Sequence, residues 1–313
     1  MPDAALARLD AEPDLTYEVA DGPDAEQMSA GLARADILLL RATPRLTAGH
    51  VRAAPRLRVV SRYGVGYDNV AVDALTERRI PLLIVGDNNS TSVAEGTFAL
   101  MIACARRLLE YDRATRAGDW RRRDSLQAGE LAGKRLLVVG FGKIGRKLAA
   151  RAAAFEMTVH VFDPGVPAAD VRAAGAVPEA DLDAALAVAD FVSLHVNLSD
   201  ATRRMIDADR LRRMKPHAVI INASRGGVVD EAALAQALHA GTIGGAGIDV
   251  FEHEPIRRDC LLLAAPNVIL SPHAAGLTRE AGDRMAIATV ENALAAWRGE
   301  VDPALVVNRQ VIG

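Results

Sequence analysis

The sequence around residues 136–149 constrains the fold more than any other part of the chain. Four apolar residues, 136–139, are followed by three glycines in the spacing G-x-G-x-x-G: Gly140, Gly142 and Gly145. The apolar run is short and branched enough for a buried parallel strand, and a helix-like pattern follows the glycines. Gly140 permits a tight turn, Gly142 a close approach of a pyrophosphate, and Gly145 close packing of the helix on the strand. This pattern predicts a dinucleotide-binding fold.

A second strand-like run ends in Asp163, which lies 23 residues after Gly140. Dinucleotide-binding folds place the carboxylate that binds the adenosine ribose about 20 residues after the first glycine. Asp163-Pro164-Gly165 is also a good turn sequence. The strand, glycine loop and helix before it favour the ribose role. No arginine follows Asp163 directly to receive a 2′-phosphate, so the sequence predicts NAD in preference to NADP.

Length and composition exclude several other classes of protein. A chain of 313 residues predicts two domains, and a net charge of −3 gives no general attraction to nucleic acid or to an anionic membrane. No apolar run approaches the roughly 20 residues that span a bilayer, and the N-terminus does not resemble a signal peptide. Cys104 and Cys260 have neither metal-ligand spacing nor a disulfide framework. We therefore expect a cytoplasmic protein with no metal, nucleic-acid or membrane partner.

Strand-like and helix-like runs alternate along the whole chain. In the first ninety residues, strands are predicted over 15–19, 37–40, 57–61 and 81–85. A buried helix then begins at Ser92, where Ser92-x-x-Glu95 has the spacing of a capping box. Six further strands are predicted over 136–139, 157–162, 190–195, 218–222, 245–250 and 268–270, and a last helix over 279–297. This alternation predicts parallel sheets covered by helices, and six strands match a doubly wound dinucleotide domain.

Reactive side chains follow three of these six strands. Arg225 comes after the fourth strand, Glu254 after the fifth and His273 after the sixth. Because ligands of such sheets bind outside the carboxyl ends of the strands, these three side chains are candidates for one cleft. Each side chain also has a purely structural interpretation. These are a surface cation for Arg225, a turn residue before a proline for Glu254 and a helix cap for His273.

Together, the three side chains are what hydride transfer to a 2-oxo acid requires. Arg225 can bind a carboxylate through two hydrogen bonds and polarise the neighbouring carbonyl. His273 can exchange a proton with the substrate oxygen, because an imidazole titrates near neutral pH. Glu254 can favour the charged imidazole and fix its tautomer by a hydrogen bond. Their combination with a dinucleotide loop favours a dehydrogenase.

From Ile37 to about residue 300, the chain resembles the D-isomer-specific 2-hydroxyacid dehydrogenase family. The resemblance implies that Arg225, Glu254 and His273 are catalytic, with Glu254 and not Glu252 as the partner of His273. The segments that carry it stand in the family's order: 139–145, 222–230, 249–255 and 272–273.

The resemblance also implies which residues bind the cofactor and the substrate. Asp249 is similar to an aspartate near the nicotinamide, and backbone N–H groups near Val65 and Gly66 would hold the substrate carboxylate. The predicted cofactor-binding residues are Gly140, Phe141, Gly142, Lys143, Ile144, Gly145, Asp163, Val196, Asn222, Ser224, Arg225, Asp249 and His273. The predicted substrate-binding residues are Arg62, Tyr63, Gly64, Val65, Gly66 and Arg225.

The implied fold class is α/β, with a doubly wound Rossmann dinucleotide domain inserted in a smaller flavodoxin-like α/β substrate domain. The substrate domain would comprise 1–92 and 285–313, and the NAD-binding domain 93–284. Family members are usually dimers through the dinucleotide domain, so a homodimer is expected. Two features depart from the family pattern. The apolar strand expected before residues 4–9 is missing, which indicates either a start placed too far downstream or an incomplete first sheet. Asn197 replaces a proline near the adenine pocket.

The predicted function is NAD-dependent transfer of a hydride between NAD(H) and a D-2-hydroxy acid/2-oxo acid pair. The substrate stays open between 3-phosphoglycerate and hydroxypyruvate or glyoxylate. Arg41 and Arg62 are similar to phosphate-reading arginines of the phosphoglycerate dehydrogenase branch, but relatives that act on smaller acids also carry arginines there. The alternative is an NAD-sensing, corepressor-type binding protein with little catalytic activity.

Overall fold

The computed structural model describes residues 2–20 and 25–312, and the chain divides into two compact units. The first unit comprises Met1–Asn89 and Leu277–Gly313, and the second unit comprises Ser90–Gly276. The sequence predicts boundaries between a substrate domain and an NAD-binding domain at 92/93 and 284/285. These domain boundaries stay a prediction.

The first unit contains a three-stranded parallel sheet in the order β1-β2-β3. The predicted strand over 15–19 is wrong. These residues are irregular, and Tyr17 and Val19 are exposed, because alternating apolar residues form a strand only where a neighbouring strand pairs with them. The elements in chain order are α1 (Asp3–Asp10), α2 (Ala25–Leu32), β1 (Ile37–Leu40), α3 (Ala48–Arg52), β2 (Val59–Arg62), α4 (Val72–Glu77) and β3 (Leu82–Leu83).

The second unit contains seven parallel strands. Its helices are α5 (Ser90–Ala105), α6 (Leu108–Arg116), α7 (Lys143–Ala154), α8 (Ala168–Ala173), α9 (Leu182–Val188), α10 (Ala208–Arg213) and α11 (Glu231–His239). Its strands are β4 (Arg135–Val139), β5 (Thr158–Phe162), β6 (Val177–Pro178), β7 (Phe191–Leu194), β8 (Val219–Asn222), β9 (Gly245–Ile248) and β10 (Val268–Leu270). All six predicted strands of this half are confirmed, and β6 was missed.

The strand order β10-β9-β8-β7-β4-β5-β6 is that of a doubly wound dinucleotide-binding sheet. The chain reverses its direction of winding between β4 and β7, which is where such sheets bind their ligands. The register of the sheet aligns the carboxyl ends of β4, β7, β8, β9 and β10. Leu194 of β7 pairs with Val139 of β4 and with Asn222 of β8, and Ile248 of β9 pairs with Asn222 and with Leu270 of β10. The loops that follow these strands therefore leave the sheet at one level.

Helix α5 begins at Ser90, so the predicted capping box at Ser92 is wrong. Ser92 lies within the helix, and its hydroxyl donates to the Ala275 carbonyl oxygen at 2.9 Å. A serine hydroxyl near a helix start can bond to distant backbone as well as to its own helix, and the sequence spacing does not distinguish the two. The predicted burial of this helix is confirmed by Phe98 and Met101, which pack against the sheet core around β4.

After the second unit, the chain returns to the first unit as α12 (Arg279–Arg298), which matches the predicted last helix. Thr278 caps this helix by accepting a hydrogen bond from the Ala281 N–H at 3.1 Å. Its buried residues Ala286, Val290 and Leu294 pack against α1. Within 2–20 and 25–312, none of the helices has the length and apolar composition needed to cross a membrane.

Candidate active site

The glycine loop after β4 has a separate structural reason for each glycine. Gly140 has φ +94°, and a Cβ there would lie 2.5 Å from the His195 carbonyl oxygen. A Cβ at Gly145 would lie 2.2 Å from the Gly140 oxygen, so the start of α7 rests directly on the loop. At Gly142 a Cβ would meet no atom within 4 Å. The loop is thus packed at both ends and open in the middle, at the glycine that is predicted to approach a pyrophosphate.

The start of α7 supplies donors for such an anion. Within the described residues, the N–H groups of Gly142, Lys143 and Ile144 have no acceptor, because the first turn of a helix leaves its N–H groups unpaired. The positive end of the helix dipole adds to this attraction for phosphate. Phe141 differs, because its side chain is buried and its N–H donates to Asp163 Oδ2 at 2.7 Å.

Asp163, at the end of β5, therefore holds the glycine loop. Its second carboxylate oxygen accepts a hydrogen bond from the Gly165 N–H at 2.9 Å, as in the turn that the sequence also predicted. Each carboxylate oxygen can accept more than one hydrogen bond, so ribose hydroxyls remain compatible with these contacts. The ribose role of Asp163 stays a prediction.

His195 was not selected from the sequence, yet it lies beneath the glycine loop. Its Nε2 is 2.8 Å from Ser193 Oγ, and its Nδ1 is buried without a hydrogen-bond partner in the described chain. Burial lowers the pKa of His195 to about 4, so the ring is neutral at pH 7. Val196, a predicted cofactor contact, lies against Gly140, with Cγ1 3.0 Å from a Cβ placed there. No sequence signal distinguished His195 from an ordinary strand residue.

Asn222, at the end of β8, shapes the loop that carries Arg225. Its Oδ1 accepts hydrogen bonds from the Ser224 N–H and hydroxyl at 3.1 and 2.8 Å, and its Nδ2 donates to the Arg225 carbonyl oxygen at 2.8 Å. Asn222 is fully buried. Arg225 is half-buried and donates from Nη1 to the Ser224 carbonyl oxygen at 2.6 Å. The contacts of Asn222 and Ser224 hold this loop, and their predicted role in cofactor binding stays a prediction.

Asp249, at the end of β9, shapes the loop that carries His273. It is buried, and its two carboxylate oxygens accept the N–H groups of Ala274 and Ala275 at 2.8 and 3.0 Å. Its carbonyl oxygen accepts the His273 N–H at 2.7 Å. These bonds hold His273 at φ +54°, a conformation that non-glycine residues rarely adopt. Strain of this kind persists where the surrounding contacts impose it, which is common at functional sites.

His273 and Glu254 form a hydrogen-bonded pair, with Nδ1 and Oε2 2.7 Å apart. Glu254 Oε1 also accepts the Phe251 N–H at 3.0 Å, which fixes the carboxylate. Partial burial acts to raise the pKa of Glu254. The hydrogen bonds from His273 and Phe251 and the charges of His273 and Arg225 outweigh burial and hold that pKa below its ordinary value. The carboxylate is therefore charged at neutral pH.

Arg225, Glu254 and His273 follow β8, β9 and β10, which are neighbours in the sheet. The charge of Arg225 acts on Glu254, so the three side chains share one electrostatic environment. Nδ1 of His273 is directed at Glu254, which leaves Nε2 as the ring atom for proton exchange with a ligand. This arrangement suits a cation that binds a carboxylate beside an oriented acid–base histidine.

The predicted substrate loop, residues 62–66, lies in the first unit. Arg62 is buried, and its Nη1 donates to the Tyr63 carbonyl oxygen, so this arginine supports its own loop. The Tyr63 hydroxyl donates to the Gly282 carbonyl oxygen at 3.1 Å. Gly64 has φ +131°, which orients the peptides after it. In the described part of the chain, the N–H groups of Val65 and Gly66 have no acceptor.

No group of three or more His, Cys, Asp or Glu side chains within 2–20 and 25–312 is arranged to hold a metal ion. Cys104 and Cys260 are both free thiols. Cys104 is partly buried in α5, and burial raises its pKa to about 12. Thiolate chemistry at Cys104 is therefore not available at neutral pH.

Comparison with known protein families adds an independent line of evidence. Residues 98–275 match the model described as "D-isomer specific 2-hydroxyacid dehydrogenase, NAD binding domain". The match covers more than half of the chain, and it contains the glycine loop, Asp163, Arg225, Glu254 and His273.

Two similar relatives differ in length. The chain is 38% identical over 316 residues to a glyoxylate reductase of Korarchaeum cryptofilum, covering 100% of this chain and 95% of that protein. It is 40% identical over 286 residues to a D-3-phosphoglycerate dehydrogenase of Mycobacterium leprae, covering 91% of this chain and 54% of that protein. The chain thus spans about half the length of that phosphoglycerate dehydrogenase.

Solved structures with the same fold cover nearly the whole chain. The TT0316 protein of Thermus thermophilus superposes with a TM-score of 0.88 at 34% identity, covering 98% of this chain and 97% of that one. A D-lactate dehydrogenase of Aquifex aeolicus, complexed with NAD and lactic acid, superposes with a TM-score of 0.83 at 29% identity, covering 91% and 88%.

Proposed function

The chain belongs to the D-isomer specific 2-hydroxyacid dehydrogenase family, and from this premise we propose that it reduces a small 2-oxo acid with NADH. The observation that carries the proposal is the 2.7 Å hydrogen bond between His273 and Glu254, on strand ends beside that of Arg225. The relatives described above that carry an activity name are all named as enzymes. The alternative of an NAD-sensing corepressor has no support among them.

The chain's own residues account for binding, orientation and proton transfer. Arg225 binds the substrate carboxylate and polarises its neighbouring carbonyl. Protonated His273 donates from Nε2 to the carbonyl oxygen, and Glu254 stabilises the charged ring before transfer. For the first unit, we propose that the N–H groups of Val65 and Gly66, which have no acceptor in the described part of the chain, are anion donors. When bound, the nicotinamide supplies the hydride that reduces the carbonyl carbon.

NAD would lie along the carboxyl ends of β4, β5 and β7. The N–H groups at the start of α7 would bind the pyrophosphate, because a Cβ at Gly142 would meet open space there. Asp163 would accept the ribose hydroxyls, and its negative charge disfavours a 2′-phosphate, so we propose NAD in preference to NADP. In this scheme the substrate domain comprises 1–92 and 285–313, and the NAD-binding domain comprises 93–284.

We propose glyoxylate or hydroxypyruvate as the substrate, in preference to the 3-phosphoglycerate pair. Arg62 donates to its own loop, which leaves less of its guanidinium for a distal phosphate. The guanidinium carbon of Arg41 lies 5.2 Å from the centroid of the Tyr63 ring. Arg41 therefore supplies one positive charge beside Tyr63 of the predicted substrate loop.

The test is NADH oxidation, followed by absorbance, against glyoxylate, hydroxypyruvate, pyruvate, 2-oxoglutarate and 3-phosphohydroxypyruvate. Turnover of glyoxylate or hydroxypyruvate that His273→Ala abolishes supports the proposal. His239→Ala is the matched control, because that histidine is exposed at the end of α11. Turnover confined to 3-phosphohydroxypyruvate would change the substrate, and no turnover with any acid would refute the dehydrogenase.

We also propose a homodimer formed through the second unit. Helix α6 has no buried residue, and its apolar side chains Leu108 and Leu109 are 49% and 44% exposed. The neighbouring turn exposes Trp120 by 66% and Leu126 by 87%, and we propose that these four apolar side chains belong to the dimer surface. Leu109→Glu is expected to produce a monomer in sedimentation velocity, whereas Val177→Glu, on another exposed apolar residue, is the control. A dimer that persists in Leu109→Glu would refute this surface.

The two free thiols suit a reducing compartment, so the cytoplasm is the location that we propose.

A further inference from the structure

Glu231 is a half-buried carboxylate that the proposed mechanism does not use. It is the first residue of α11, directly after Asp230, which caps that helix. Its Oε1 accepts the N–H of Glu252, and its Oε2 lies 3.6 Å from Cys260 Sγ. One carboxylate thus connects the start of a helix with two positions in the chain segment that follows β9.

The Glu252 N–H belongs to the short loop, residues 251–254, that carries the catalytic carboxylate. Within this loop, the Phe251 N–H donates to Glu254 Oε1 at 3.0 Å. A Cβ at Gly226, the residue after Arg225, would lie 2.0 Å from the Phe251 carbonyl, so backbone packs on backbone there. The loop is therefore held by Gly226 at Phe251 and by Glu231 at Glu252.

The environment of Glu231 disfavours the charged form of its carboxylate. Burial raises its pKa, the Glu252 N–H bond lowers it, and the Glu252 charge raises it again, so the pKa lies above its ordinary value. A leucine or alanine at this position would avoid this cost. The hydrogen bond to the loop is the contact that only an acceptor at position 231 can make.

We propose that Glu231 is a positioning residue for catalysis, which holds the 251–254 loop so that Glu254 stays hydrogen-bonded to His273. This inference rests on the proposed dehydrogenase function. In this proposal Glu231 acts through the backbone N–H of Glu252, and not by contact with the reacting atoms. Loss of this acceptor leaves the loop free to move, which lengthens the Glu254–His273 bond and reduces the fraction of time that the imidazole is oriented by Glu254.

The test combines kinetics with a double-mutant cycle on Glu231 and Glu254. Glu231→Ala is expected to lower kcat roughly tenfold and to leave the KM for NADH unchanged. Glu231→Gln keeps an oxygen acceptor of the same reach and is expected to restore most of kcat. In a Glu254→Gln background, Glu231→Ala should lower kcat less than twofold, because two residues that act through one contact are not additive. Glu280→Ala, at the first turn of α12, is the matched control.

A second measurement does not depend on turnover. The imidazole ¹⁵N shifts of His273, assigned by their loss in His273→Ala, report which ring nitrogen carries the proton. We expect Glu231→Ala to shift them toward mixed tautomers and Glu231→Gln to preserve them. Unchanged shifts, or an equal loss of kcat in both backgrounds, would overturn the proposal. A lower melting temperature of Glu231→Ala with unchanged kcat would also overturn the proposal. A wild-type protein without turnover would refute the dehydrogenase, while the ring shifts would still decide the role of Glu231.

Discussion

The three glycines of the loop after β4 are expected to separate folding from cofactor binding when each is replaced by alanine. Gly142→Ala should leave the free energy of unfolding of the apoprotein nearly unchanged and weaken NADH binding. Gly145→Ala should destabilise the apoprotein strongly. Gly140→Ala should both destabilise the apoprotein and weaken NADH binding, because Gly140 has a φ that is unfavourable for alanine as well as a close neighbour.

The magnitudes follow from the space at each position. At Gly142, φ −74° and ψ −159° suit alanine, and no atom lies within 4 Å of its Cβ. The loss of a flexible glycine in the unfolded chain stabilises by about 0.4–1 kcal/mol, and a poorer helix cap costs a similar amount. At Gly145, a 2.2 Å approach to the Gly140 oxygen forces a backbone shift that costs about 3 kcal/mol or more. The gain in helix propensity of about 1 kcal/mol does not offset that cost.

The assay is urea unfolding of each apoprotein, with NADH affinity measured by fluorescence. A methyl group that displaces the pyrophosphate from its N–H donors costs about 1.5–3 kcal/mol, so Gly142→Ala should raise the Kd for NADH roughly 10- to 100-fold. Gly133→Ala is a control for a glycine without close neighbours, although its φ of +73° adds strain. Wild-type NADH affinity in Gly142→Ala would refute the assignment of this loop to the pyrophosphate.

Three further expectations concern titrating side chains. Glu254→Gln should lower kcat roughly 10²-fold at pH 7, and unchanged NADH affinity in titration would show that only proton transfer is affected. Burial lowers the pKa of His195 to about 4, so below about pH 6.5 the unfolded chain binds a proton that the folded protein does not. Urea unfolding should then show a loss of up to about 3 kcal/mol between pH 6.5 and 4, and His195→Gln should show a smaller loss. Iodoacetamide at pH 8 should alkylate Cys260 before Cys104, because burial raises the pKa of Cys104 to about 12. Equal labelling in a mass spectrum would contradict that order.

The sequence predicted the strands and helices where hydrophobic periodicity and glycine chemistry agree. The glycine loop is the strongest case, because each glycine occupies a position where a Cβ has a different consequence. Edge elements were harder to predict. Strand β6 has only two residues, one of them a proline, and pairs with a single neighbour, so it leaves little pattern.

The three candidate catalytic side chains were predictable because they follow strand ends, whereas the residues that hold them were not. Arg225, Glu254 and His273 have functional groups that suggest chemistry. Asp249 and Glu231 act through backbone N–H groups that are 25 and 21 residues away in sequence, and no local pattern reports such bonds. Tertiary hydrogen bonds to backbone become visible only when the register of the sheet is known.

The order of strands also determines how the site can assemble as the chain folds. Strands β8, β9 and β10 are consecutive in the chain and adjacent in the sheet, so each pairing closes a loop of under roughly 30 residues. Joining β4 to β7 pairs Leu136 with Phe191, which closes a loop of roughly twice that length. Shorter loops close at lower entropic cost, so β8, β9 and β10 are expected to gain hydrogen-exchange protection before the β4–β7 junction. The acid–base pair would then form on a partly folded sheet, and competence to bind the dinucleotide would be the last property to arise during refolding.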